Sequence, residues 1–272
     1  MSYRVGHEPL TAGAYAWLSA GADPFVRRSP PPQAVSRGEL AILIEAAFAH
    51  GVLPAMARSL QHFSAEFGPS VIVSDPNASG CVADALSEID RHLVILAGQG
   101  LLLAHHARRI AAVFASDALP ACIVKGPVFS QRLYPQPSDR SFTDIDVLIA
   151  PAALQASATI LKRLGFVQAP RESREGRDDA EYKWLLPGSD VVLVEVQTNL
   201  IHSPNLGTGI RLRYVDLLAA GGGDPEDATA LLLLAAVHGA AGHQFERLQP
   251  AVDVLQAARG AAGPIDRDRD QG

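Results

Sequence analysis

The stretch Arg140-Ser-Phe-Thr-Asp144-Ile-Asp146-Val-Leu-Ile149 sets two carboxylates two residues apart where an apolar run begins. Residues i and i+2 of a strand share a face. A strand over 144–149 therefore brings Asp144 and Asp146 side by side and turns Ile145 and Val147 into the core. Carboxylates that close repel each other unless a cation lies between them. Paired hard oxygens of this kind are ligands for a divalent metal such as Mg²⁺. A third acid, Glu195, stands mid-strand in Val192-Leu-Val-Glu195-Val196, where its desolvation requires a partner or a metal. Lys125-Gly126 follows the apolar run 121–124. A glycine there lets backbone approach a phosphate, and the lysine adds positive charge. Arg140, four residues before the Asp pair, has the chemistry of a phosphate clamp. An Asp-x-Asp triplet alone also occurs at ordinary strand starts and turns. The combination with Glu195, Lys125 and Arg140 is what raises the reading of a metal and phosphate site.

Short strands separated by helices must position these side chains. The apolar runs predict strands over 121–124, 144–149 and 165–168, and a hairpin of 181–186 with 190–197 around Pro187-Gly188-Ser189. Helices are expected up to Leu133 after the Lys-Gly turn, and from Pro151 to about Leu164. Before this core, the 3.6-residue spacing of Leu40, Leu43, Ile44, Ala47 and Phe48 predicts a helix ended by Gly51. Helices over 53–67 and about 82–115 follow, with Gly98 and Gly100 as points where the last could bend. After the core, helices are expected from Tyr214, over 228–237 and over 248–258. The expected organisation is an irregular lead-in over 1–36, a helical region over 37–118, a mixed α/β core over 119–200, a helical region over 201–262 and a frayed, disordered tail over 263–272. The charged stretch 171–179 reads as a solvated loop.

The 272 residues are 48% hydrophobic, ample for a core, and carry a formal net charge of −6. That balance lacks the global positive field of many nucleic-acid binders, so nucleic acid is not the favoured partner, although a local basic groove stays open. Two cysteines, Cys81 and Cys122, make neither a disulfide framework nor a zinc site. The longest apolar run, 228–241, contains His238 and is too short to span a bilayer. The N-terminus does not read as a signal sequence. The expectation is a soluble, cytoplasmic protein with no membrane partner.

The order of features is Ile-Val-Lys125-Gly126-Pro, Leu-Tyr134-Pro135, Arg140-Ser-Phe-Thr-Asp144-Ile-Asp146-Val-Leu-Ile, and Val-Glu195-Val-Gln-Thr-Asn-Leu. It resembles the nucleotidyltransferase superfamily of the DNA polymerase beta type, and more closely the bacterial uncharacterised nucleotidyltransferase family, over about residues 38–260. Two departures stand out. Lys125-Gly126 takes the place of the superfamily's Gly-Ser pair, and Gln197 stands where the family commonly has His. The resemblance implies an α+β fold, a small mixed sheet flanked by N- and C-terminal helical regions. It implies transfer of NMP from an NTP, ATP among them, to an unknown acceptor (a protein, a small molecule or an RNA end), with release of pyrophosphate. Asp144, Asp146 and Glu195 would be the catalytic acids and the ligands of two Mg²⁺ ions, while Lys125, Gly126 and Arg140 would bind the nucleotide. The alternative is a non-catalytic module that keeps the fold and binds a nucleotide or a partner.

The remaining polar residues carry simpler readings. His105-His106 with Arg108-Arg109 reads as a solvated helix face, and His202 as a loop residue. His238 and His243, five apart, do not share a helix face. Tyr182 and Trp184 share a strand face and read as packing residues, Cys122 as a small buried residue, and Asp253 as an acid that caps or pairs within the helical region.

Overall fold

The computed structural model describes residues 10–25, 29–170, 181–201, 211–242 and 245–261. The expected loop at 171–179, the tail at 263–272, His202 and His243 lie outside the described residues. Helices and one five-stranded sheet make an α+β fold, as the sequence predicts. The chain divides into two units. The first comprises the residues through Gly98 with Ser138–Ser141 and Arg247–Val252; the second comprises Gln99–Pro137, Phe142–Glu246 and the chain from Asp253. The division falls within a long helix.

The first unit is helical. Helix α1 (Ala12–Gly21) lies inside the segment expected to be irregular. Its sequence is mostly small residues and shows little periodicity, so the helix draws its stability from packing rather than pattern. Trp17 is fully buried, its ring set edge-on to Phe63 at 5.7 Å, and its indole N–H donates to the Gln33 carbonyl at 2.8 Å. The Thr11 hydroxyl caps the helix by accepting from the Ala14 N–H. Helix α2 (Arg37–Ala49) opens with a reciprocal capping box between Ser36 and Glu39. Helix α3 (Leu53–Phe67) and helix α4 (Ala78–Ser116) follow. Gly98 and Gly100 do not split α4, which is a single helix of 39 residues.

The second unit is built on the sheet, with strands β1 (Ala121–Val124), β2 (Ile145–Ile149), β3 (Val167–Gln168), β4 (Tyr182–Leu185) and β5 (Leu193–Gln197) in the order β1-β2-β5-β4-β3. Strands β2 and β5 are parallel; the other neighbours are antiparallel. Helix α5 (Gly126–Arg132) connects β1 to β2, and α6 (Leu154–Arg163) connects β2 to β3. Ile145, Val147, Ile149, Val194, Val196 and Trp184 share one core cluster with Leu103, Ala107, Ile110 and Phe114 of α4 and Ile160 and Leu161 of α6. Leu148 joins a second cluster with Val128 and Phe129 of α5. Also in that cluster are Leu217 of α7 (Tyr214–Ala220), Leu231 and Leu234 of α8 (Ala228–Val237), and Ala257 of α9 (Leu248–Ala261). Alternate residues of β2 therefore serve two different cores, the period-2 pattern of a strand buried on both faces. No described helix is long and apolar enough to cross a membrane.

Trp184 is 2% exposed and its neighbour Leu185 is 46% exposed. Trp184→Ala is expected to cost about 4 kcal/mol in urea denaturation, and Leu185→Ala about 0.5 kcal/mol or less. Equal losses would contradict the assignment of Trp184 to the core face.

Candidate active site

Strand β1 delivers Lys125 to Asp146. Val124 pairs with Asp146 in the antiparallel ladder, and the chain turns at the next residue into α5, with Pro127 in the helix's first turn. Lys125 makes that turn with φ 54° and ψ −132°, a backbone conformation L-residues rarely adopt. Its ammonium lies 2.7 Å from Asp146 Oδ1, and the two side chains are 12% and 5% exposed. Gln197 Nε2 donates to the same Oδ1 at 2.7 Å. A buried carboxylate thus receives one charged and one neutral donor on a single oxygen, which offsets its desolvation.

Gly126 lies in close approach to its neighbours. A Cβ at this position would meet the Asp144 carbonyl oxygen at 3.3 Å and the Phe142 ring at 3.3 Å. A glycine at this position leaves room for a phosphate to approach the backbone. The packing gives it a second role, since it lets the start of α5 lie against the backbone that enters β2.

The third acid sits on the neighbouring strand. Asp146 and Glu195 are direct partners in the parallel β2/β5 ladder. Across the antiparallel ladder Lys183 faces Glu195, with its ammonium 3.2 Å from Glu195 Oε1 and 3.2 Å from Glu181 Oε1. Burial pushes the Glu195 carboxyl up to about 7; the charges of Glu181, Asp146 and Asp144 push the same way, and Lys183 opposes them. The three sequence-derived acids therefore feel one another electrostatically. They do not form a three-ligand cluster, however. Among the described residues no three His, Cys, Asp or Glu side chains come together as a metal-holding group. Asp144 precedes β2 instead of lying within it and is only half-buried. Lysine ammoniums, not a third carboxylate, are the nearest charges on Asp146 and Glu195.

Arg140 belongs to the first unit, where it is buried. Its neighbour Asp139, also buried, is ion-paired with Arg58 of the same unit. Asp253 accepts a 2.7 Å hydrogen bond from the Tyr134 hydroxyl, so the Tyr-Pro loop and the helical-region acid form one buried pair. Tyr182 and Trp184 are packing residues, as expected. Burial, with Glu226 nearby, pushes the Cys122 thiol up to about 12, which makes it inert. His106 departs from the solvated-face reading: it is buried, with its ring edge-on to Phe166 at 5.9 Å, while His105 is exposed.

Two further residues complete the site. Gln197 lies two residues after Glu195, so the strand period alone places it on the acid's face. Lys183 is placed opposite Glu195 only by the hairpin register, which the sequence does not specify.

A family described as an uncharacterised nucleotidyltransferase has a sequence model that matches residues 39–269. No curated protein matches the chain.

A carboxyl whose pKa is raised in the fold binds its proton more tightly folded than unfolded. Its contribution to stability is therefore present at low pH and is lost as pH rises from about 4.5 through about 7. Glu195→Gln removes that loss. In metal-free buffer, the melting temperature of the variant minus that of wild type is expected to increase from pH 5 to pH 8. A difference that stays constant over that range would show that Glu195 titrates like an ordinary carboxyl.

Proposed function

The chain belongs to the uncharacterised nucleotidyltransferase family, and from that premise we propose that it transfers NMP from an NTP to an acceptor through the site on β1, β2 and β5. The observation that carries the reading is the register pairing of Asp146 with Glu195 on adjacent parallel strands, with Lys125 at the end of the strand beside them. The bond formed joins an acceptor oxygen to the α-phosphorus, the bond broken is the one between that phosphorus and the pyrophosphate oxygen, and the acceptor's proton leaves to solvent or base.

The donor set suits Mg²⁺. This ion is held by one or two carboxylates and keeps its remaining positions for water and substrate phosphates. Asp146 and Glu195 supply that pair, and Asp144 is the third acid that would hold the metal. When bound, the metal supplies charge stabilisation at the transferring phosphoryl group and lowers the pKa of the acceptor. The chain's own groups have separate tasks. Gln197 fixes the rotation of the Asp146 carboxylate through its hydrogen bond. Lys125, on a turn held in one conformation by α5, offers a positive charge to the phosphates. Val194 and Val196 anchor the opposite face of β5 in the core, so Glu195 is held on a rigid element. The acceptor oxygen is that of a protein, a small molecule or an RNA end.

Calorimetric titration with each of the four NTPs in the presence of Mg²⁺ tests the reading. Wild type is expected to bind at least one of them, with affinity falling more than about tenfold when Asp144 and Asp146 are both replaced by Ala or, to keep shape, by Asn. Folded wild type that binds no NTP would favour the non-catalytic module.

A further inference from the structure

We propose that Lys125 is a tethered counter-ion that neutralises Asp146 until a divalent cation displaces it. The inference rests on the reading of Asp146 as a metal ligand. Asp146 is 4% exposed, and a carboxylate that buried is costly without positive charge nearby. Lys125 provides that charge at 2.7 Å, on the oxygen that Gln197 also holds. A divalent ion on either oxygen of this carboxylate lies within a few ångströms of the ammonium, and the two cations repel each other. Metal entry therefore favours departure of the ammonium.

The backbone points the same way. Lys125 takes φ 54° and ψ −132°, where a glycine is at ease and a lysine is strained. Gly126, next in the chain, cannot gain a side chain without pushing on Asp144 and Phe142. The turn is thus fixed on its helical side, and the strained residue is the one that carries the ammonium. Once displaced, a lysine on a four-carbon stem can swing its charge while the turn stays in place. The exchange leaves the number of cations on Asp146 unchanged and frees the ammonium for a phosphate. It also explains why the bare acids do not gather into a three-ligand cluster: Asp146 is drawn to Lys125 and Glu195 to Lys183.

The test is direct binding of Mn²⁺, followed by the loss of its free-ion paramagnetic resonance signal, to wild type, Lys125→Met, Lys125→Gly and Asp146→Asn, with circular dichroism confirming that each is folded. Lys125→Gly relieves the backbone strain as it removes the ammonium, which offsets part of the cost of leaving Asp146 unpaired. Both Lys125 variants are expected to bind Mn²⁺ at least tenfold more tightly than wild type, and Mn²⁺ is expected to raise their melting temperature more than that of wild type. A residue with a merely structural role would weaken metal binding when removed. Lys125 variants that bind no more tightly than wild type, with binding lost in Asp146→Asn, would overturn the counter-ion role and leave the metal site standing. An absence of Mn²⁺ binding in all four folded proteins would overturn both.

Discussion

The parallel pairing of β2 with β5 is the constraint from which the candidate site follows. It sets Asp146 and Glu195 directly opposite each other on neighbouring strands, whose backbones lie about 4.8 Å apart. Two acids at that separation, largely out of water, are a large electrostatic liability. The surrounding side chains are arranged to contain it. Lys125 and Gln197 converge on one acid and Lys183 sits on the other. The residual strain shows in the Glu195 carboxyl, which holds its proton up to about pH 7.

The sheet can carry that liability because its other face is secure. Ile145, Val147, Val194 and Val196 alternate with the acids along β2 and β5 and bury against α4 and α6. A one-residue slip of β2 against β5 would turn Ile145 and Val147 towards the face of Glu195 and Asp146 into the apolar cluster. Register is thus fixed by hydrophobic burial, and the polar face inherits its geometry from it. This division of labour lets charged residues be placed close together without unfolding the strands that hold them.

What was legible in the sequence follows the range of the forces involved. The strands over 121–124 and 145–149 and the hairpin show in the sequence, because local alternation and turn residues encode them. Asp146, Glu195 and Lys125 could be singled out because a charge inside an apolar run is anomalous on its own. Lys183 could not, since an exposed-looking lysine on a strand acquires meaning only from the residue across the ladder. Helix α1 escaped for a related reason. Its alanines and glycines give no periodic signal, and it is the burial of Trp17 against Phe63, 46 residues downstream, that gives the helix its place. The strand begins at Ile145, one residue later than the spacing of Asp144 and Asp146 predicts. That shift leaves Asp144 at the mouth of the site and not among its buried members.

The identity of residue 197 bears on how the site is tuned. Position 197 faces the same way as Glu195 and reaches across to Asp146. An imidazole there would bring a group that gains a proton near neutral pH, a second titrating side chain on the face that carries Glu195. A glutamine amide donates the same kind of hydrogen bond with no charge at any pH. The orientation of Asp146 is therefore fixed by a neutral donor, and the positive charge on that carboxylate comes from Lys125 alone among the described residues. Separating orientation from charge in this way means that the charge can be exchanged without the carboxylate losing its aim.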